Sequence, residues 1–332
     1  MSLLSIGDLS IEFGSPADPL VAVHAVSLSI KPSEVLGLVG ESGSGKSLTS
    51  RAIMRLIKRP GRITAGEVLF DGRDVLQMSQ RELRQFRAND VGMVFQDPFS
   101  SLNPVFRIGS QLVDALRMSH DYDRGTAQRT VVDMLDRVGI PRPEHIFRAY
   151  PHELSGGMRQ RVMIAMATAA RPRLLLADEP TTALDVLTQK QILLLLSEMR
   201  REYGMAMLLV SHDFGVIAQM CDRVAIMYGG QIVESGPVES IYDSPQHPYT
   251  RALLRSVPGL EPVDRANRRQ PLDGQPPEIG PLKQACVFAE RCAHARDDCR
   301  RTPLPLRRIS EGHFTACPFE VTSDANYDEA QR

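Results

Sequence analysis

The chain of 332 residues sets 39 Lys and Arg against 40 Asp and Glu, a formal net charge of -1. That balance leaves no global field to attract nucleic acid or an anionic membrane surface. The absence of Trp and an aromatic content of 5% also disfavour a base-stacking platform.

The length suits one large α/β domain with a smaller appendage. The N-terminus has no basic region followed by an apolar core, so no secretory signal is expected. No apolar run approaches bilayer length, Ile192 to Leu196 being far too short, so the chain reads as soluble and cytosolic. Leu4–Phe13 and Val21–Ile30 alternate apolar and polar residues, which predicts two antiparallel strands around a loop at Gly14 to Pro19. Val35–Val39 is a short apolar run suited to a buried parallel strand. Next comes Gly40-Glu41-Ser42-Gly43-Ser44-Gly45-Lys46-Ser47, which fits G-x-x-x-x-G-K-[ST], the loop that wraps nucleotide phosphates. A helix is predicted from Leu48 to Ile57. Glycines let such a loop bend and turn its N–H groups inward, and the helix N-terminus adds partial positive charge. Gly40 to Leu48 is therefore the expected phosphate-binding set, with Lys46 reaching the β- and γ-phosphates and Ser47 ligating Mg²⁺.

Further strands are predicted at Gly66–Phe70, ending in an Asp71-Gly72 turn, and at Val91–Phe95, closed by Gln96-Asp97-Pro98. From about 104 to 170 the spacing is helical, with Ile108, Leu112, Leu116, Val131, Leu135 and Val138 in register. Strands return at Leu174–Ala177 and Met207–Val210. Alternating strands and helices predict a largely parallel core sheet with an antiparallel patch at the start. The strand before Asp178-Glu179 ends where α/β sheets bind ligands, so Asp178 is placed to hold Mg²⁺ and Glu179 to polarise an attacking water. A guanine-reading Asn-Lys-x-Asp motif is absent, which argues against a GTPase. Near 256 the composition turns to Pro and Arg with little periodicity, placing a nucleotide-binding domain at 1–255, with its helical subdomain at about 100–170, and an extension at 256–332. The extension carries Cys286, Cys292, Cys299 and Cys317. Four thiolates hold either Zn²⁺ or a [4Fe–4S] cluster, and reduced buried thiols are the alternative. The missing Cys-x₂-Cys knuckle argues against ordinary structural zinc, and Arg291, Arg296, Arg300 and Arg301 are expected to stabilise the thiolates.

Leu154-Ser155-Gly156-Gly157-Met158-Arg159-Gln160-Arg161 resembles the signature of ATP-binding cassette (ABC) ATPases, with Met158 where Gln is commonest. The resemblance implies a RecA-like cassette in which Ser155, Gly156 and Gly157 face the γ-phosphate held by an opposing subunit. Other family pieces follow in order: Gln96 matches the Q-loop glutamine, Thr182-Ala183-Leu184-Asp185 the D-loop of the dimer seam, and His212 the switch histidine. Phe13 is the candidate aromatic for stacking on adenine, with a core phenylalanine as the alternative. The implied catalytic set is Lys46, Gln96, Glu179 and His212, with Ser47, Gln96 and Asp178 around Mg²⁺.

Three longer strings resemble the oligopeptide/dipeptide/nickel importer branch: Gln96 to Pro104, Tyr150-Pro151-His152-Glu153, and Ser244 to Thr250 followed by the cysteine extension. That branch implies a second, related ATPase chain, two transmembrane permeases, an extracytoplasmic binding protein and a peripheral position on the cytoplasmic membrane face. It imports short peptides, with nickel chelates and glutathione as variants, and similar peptide importers carry an iron–sulfur cluster in this extension. No nucleic-acid partner is implied. A soluble ABC ATPase of DNA repair or translation is the alternative. Residues 48–173 hold no sustained heptads, and there is one cassette rather than two.

Overall fold

The computed structural model of the chain describes residues 2–97, 101–182, 184–256, 274–282, 285–302 and 304–319. Pro98, Phe99 and Ser100 of the string after Gln96, Ala183, and residues 257–273, 283–284, 303 and 320–332 of the expected extension lie outside the described residues. The chain forms two compact units, each built from discontinuous segments. One comprises Met1–Leu3, Ile30–Val35 and Asp74–Val210; the other comprises Leu4–Ser29, Leu36–Arg73 and Ser211–Arg332.

The second unit starts with β1 (Leu4–Ser15) and β2 (Asp18–Ile30), longer than predicted because the intervening loop shrinks to a Pro16-Ala17 turn. β3 (Val35–Val39) is buried at every position and runs into α1 (Lys46–Ile53). The helix stops short of the predicted Ile57 because Arg55 adopts φ +50, a left-handed conformation that cannot continue a right-handed helix. β1 pairs antiparallel with β4 (Arg62–Phe70), matching Leu4 with Phe70, Ile6 with Val68 and Ile11 with Ile63. Asp71 and Gly72 then take φ +50 and +77, the doubly left-handed turn that suits a hairpin, and lead into β5 (Arg73–Asp74). The order of this antiparallel patch is β2-β1-β4-β5.

The first unit adds α2 (Gln80–Asn89), opened by a reciprocal Ser79–Glu82 capping box. β6 (Val91–Val94) runs parallel to β7 (Leu174–Asp178), and β7 parallel to β8 (Ala206–Ser211). Every residue of the three is buried, which is why they read as unbroken apolar runs. Between β6 and β7 lie α3 (Ile108–Ser119), α4 (Arg124–Arg137), α5 (Pro143–Arg148) and α6 (Gly156–Thr168). Ile108, Leu112, Leu116, Val131 and Leu135 bury as their helical spacing predicts. α7 (Val186–Tyr203) contains the Ile192–Leu196 run; among the described residues no helix is long and apolar enough to cross a membrane.

The second unit resumes with α8 (Phe214–Met220), β9 (Arg223–Tyr228), β10 (Gln231–Pro237), α9 (Val238–Asp243) and α10 (Pro248–Arg255). β9 is parallel to β3 and antiparallel to β10. The C-terminal residues contribute β11 (Arg307–Ser310) and β12 (His313–Thr315), and β12 pairs with β10 through Glu234 and Thr315. These residues thus continue the sheet that carries the phosphate loop, and Val21 of β2 forms an isolated antiparallel bridge with Gly280.

Candidate functional site

Close packing dictates the glycines of the 40–47 loop. A Cβ on Gly40 would sit 2.0 Å from the Met227 carbonyl oxygen of β9. Gly45, at φ +102, would meet the Met227 methyl at 2.7 Å, whereas a Cβ on Gly43 would meet nothing within 4 Å. The loop is therefore tight against β9 and open over Gly43, the shape needed to cradle a phosphate group. Lys46 is 4% exposed, and its ammonium donates to the carbonyls of Gly40 at 2.7 Å and Glu41 at 2.9 Å. Ser47 and Leu48 occupy the first turn of α1, and Thr49 donates both N–H and hydroxyl to the Gly45 carbonyl.

Glu41 is held at each end. Its N–H donates to the Tyr249 hydroxyl at 2.9 Å, so this N–H is committed within the protein. Its carbonyl accepts from Lys46 and from the Ser44 N–H. Its carboxylate takes a two-pronged contact from Arg291, 2.7 Å to Oε2 and 3.2 Å to Oε1. Arg291 also donates to the Tyr228 hydroxyl at 3.2 Å. Burial opposes the charge on Arg291, but the bonds to Glu41 and Tyr228 outweigh it and hold the guanidinium protonated more firmly than usual. The expectation that Arg291 faces the thiolates is corrected here: the half-buried Glu41 carboxylate and the Tyr228 hydroxyl claim its planar donor fork. Arg296 lies 4.1 Å above the Phe319 ring.

In the other unit Asp178 is fully buried at the end of β7, and Glu179 follows at φ +48. A glutamate in the left-handed region is uncommon and strained. It is held there by its N–H on the Val210 carbonyl and by Oε2, which accepts from Gln96 Nε2 at 3.0 Å and Thr182 Oγ1 at 2.8 Å. The structure thus brings the Gln96 and Glu179 side chains together. Ser155 caps α6 by accepting from the Met158 N–H, and a Cβ on Gly157 would lie 2.9 Å from the Thr188 methyl. Gly157 therefore lets α6 start against α7. Asp185 caps α7, accepting from the Thr188 N–H at 2.9 Å and hydroxyl at 2.6 Å, and these bonds lower its pKa. Beside it Val186 and Leu187 are strongly exposed.

His212 is exposed in the bend between β8 and α8, the latter capped by Asp213. Phe13 is half-buried, its ring within about 3 Å of where a Gly61 Cβ would sit. Cys286, Cys292, Cys299 and Cys317 all line one cavity of about 130 Å³, with His247, His294, Phe288 and Arg296. Burial, reinforced by the neighbouring thiols, pushes Cys292 up to about 11 and raises Cys286. Cys317 rises for the same reasons. Among the described residues no group of three or more His, Cys, Asp or Glu side chains converges on a single metal position.

Sequence reasoning missed Tyr249 and the Arg291–Glu41 pair. The string Ser244 to Thr250 drew attention by resemblance, but nothing in its spacing shows that fully buried Glu234 accepts the N–H groups of Gln246 and His247 and so presents Tyr249.

Known proteins agree with this geometry. The profile of the ABC transporter family matches residues 23–182, and that of the oligopeptide/dipeptide transporter C-terminal region matches 233–299. The ATP-binding cassette MJ0796, solved as a dimer bound to ADP and phosphate, has a TM-score of 0.64 and 28% identity, covering 71% of this chain and 98% of that one. The fold and its phosphate loop thus define the class: an ABC ATPase, an enzyme that hydrolyses ATP. The dipeptide transport ATP-binding protein DppD of Escherichia coli is 43% identical over 321 residues, 97% of this chain and 98% of the relative. The oligopeptide transport ATP-binding protein OppD of Salmonella typhimurium is 44% identical over 315 residues, 95% of this chain and 93% of the relative. The chain belongs to the family of oligopeptide/dipeptide transporter ATP-binding proteins.

Proposed function

We propose that this chain powers the import of di- or oligopeptides from the cytoplasmic face of the membrane, paired with a second ATPase chain beneath two permeases fed by a binding protein. One observation carries the reading: a phosphate loop with a buried lysine shares one chain with the C-terminal region of peptide transporters. Lys46 and the glycine loop hold the β- and γ-phosphates. Ser47, Gln96 and Asp178 offer the hard oxygen donors that suit Mg²⁺, which supplies charge neutralisation on the phosphates. Glu179, oriented by Gln96 and Thr182, positions the attacking water, and His212 contacts the γ-phosphate. Phe13 stacks on adenine. Ser155, Gly156, Gly157 and Asp185 serve the seam with the partner ATPase, and the exposed Val186 and Leu187 support that role. ATP hydrolysis by the complex purified in mild detergent with its binding protein tests the reading. Stimulation by short peptides is the expected result; stimulation by nickel chelates or glutathione alone overturns the substrate.

The four cysteines hold a [4Fe–4S] cluster in this reading. Zinc binds at about 2.3 Å from each sulfur and would need the four within about 4 Å of one another. A cluster ties each thiolate to a different iron and suits sulfurs spread around a cavity. Burial keeps Cys286, Cys292 and Cys317 protonated when nothing is bound, so loading releases protons and weakens at low pH. Anaerobically purified protein is expected to contain about four iron and four sulfide per chain, and Cys299→Ser to lose them. Stoichiometric zinc without sulfide would reverse the assignment.

A further inference from the structure

The C-terminal extension reaches the phosphate loop itself. Arg291 follows the segment that begins at Cys286, 250 residues from Glu41, yet its side chain is 6% exposed and clamps the Glu41 carboxylate with two nitrogens. A second arm comes from Tyr249, whose hydroxyl accepts the Glu41 N–H. The arms share a base, because Tyr228, Tyr249 and Phe288 pack with ring centroids 4.5 to 5.4 Å apart and Arg291 lies 5.7 Å over Tyr228. Behind Tyr249, Glu234 is fully buried and gathers Gln246, His247 and His313, so β12 of the extension buttresses the same arm.

What Glu41 does next gives the clamp its consequence. Its carbonyl is one of two that seat the Lys46 ammonium, and the same carbonyl takes the Ser44 N–H. Fixing Glu41 fixes the first bend of the loop and the lysine beneath it. A neutral Gln or a displaced Glu at this position would lose the two-pronged contact with Arg291 and leave the first bend held by the Tyr249 hydroxyl and the Gly230 N–H on the Ser44 carbonyl.

We propose that Arg291, with Tyr249 in support, is a positioning residue of the nucleotide site, and that the extension sets ATP affinity by holding Glu41. The inference rests on the ATPase assignment but not on the cysteine cluster. Arg291 touches no substrate atom in this account; it acts through Glu41.

The test is ATP binding and steady-state hydrolysis by the full-length chain in its complex, with thermal melting measured on each variant. Arg291→Ala is expected to raise the ATP Kd and KM about tenfold, toward the lower range for a misplaced positioning group. The kcat at saturating ATP should stay within about threefold, since Lys46 and Glu179 remain. Glu41→Gln should weaken ATP to a similar degree, and the double variant should be no worse than the weaker single variant, because both remove one contact. Arg291→Lys should restore part of the affinity, keeping charge but losing the two-pronged fit. If Arg291→Ala melts too low to assay, Glu41→Gln and Arg291→Lys decide the matter. An unchanged Kd in Glu41→Gln, losses that multiply in the double variant, or a fall in kcat with KM untouched would each overturn the proposal.

Discussion

Replacing Glu179 with Gln lowers ATP turnover by about 10²- to 10⁴-fold, the usual range for loss of a general base, while ATP stays bound. The substitution isolates charge from shape. Glu179 is held by its N–H on the Val210 carbonyl and by two donors on Oε2, from Gln96 and Thr182. A glutamine can keep its side-chain oxygen on both donors and its backbone in the same left-handed conformation. What it loses is the negative charge that polarises water. ATP-bound, closed cassettes should therefore accumulate, visible as nucleotide retained through gel filtration of the complex. Turnover within about threefold of wild type, with the variant folded and assembled, would remove Glu179 from the role of base and reopen the site.

Lys46→Ala has the second large effect. The ammonium is nearly inaccessible and rests on the Gly40 and Glu41 carbonyls, aimed along the loop that the glycines leave open at Gly43. Removing it withdraws the single full positive charge the loop offers to transferring phosphate. Turnover should fall by about 10²- to 10³-fold, as when one preorganised stabilising donor is lost. Unlike Glu179→Gln, this variant should also bind ATP weakly, so no nucleotide is retained. The fold should survive, because the loss is confined to two carbonyls left without this donor, at about 1–3 kcal/mol each. Retention of ATP by Lys46→Ala as tight as by Glu179→Gln would show that the loop binds phosphate through its backbone alone.

Much of this machinery was legible before any coordinates. β3, β6, β7 and β8 are buried on both faces, and such strands write themselves as short apolar runs. The Asp71-Gly72 turn and the Ser155 cap follow from local backbone chemistry that a few residues determine. Glu179 is read from its place after a buried strand and Gln96 from the family resemblance, and their side chains share a hydrogen bond.

The unread parts have a common cause: partners distant in the chain. Nothing near Glu41 announces Arg291 or Tyr249, and nothing near Glu234 announces His313. Arg291 is expected with Arg296, Arg300 and Arg301 to stabilise the thiolates, yet residues close in sequence need not face the same way. β11 and β12 are four and three residues long, too short for a pattern to emerge from a Pro- and Arg-rich stretch. Gly157 is read from the sequence only as part of a phosphate cradle, and its closeness to Thr188 adds a packing reason for glycine there. Helix α1 ended early because one arginine, Arg55, turned left-handed, which no propensity scale anticipates for that residue.

The most direct measurement is uptake of a labelled dipeptide into proteoliposomes that hold ATP and carry the permeases with either the wild-type chain or Glu179→Gln. Import driven by ATP hydrolysis predicts sustained uptake with the wild type and no more than about one turnover per complex with the variant. Equal, continuing uptake with both would contradict it, since the peptide would then be moving without the hydrolysis that this chain is assigned to perform.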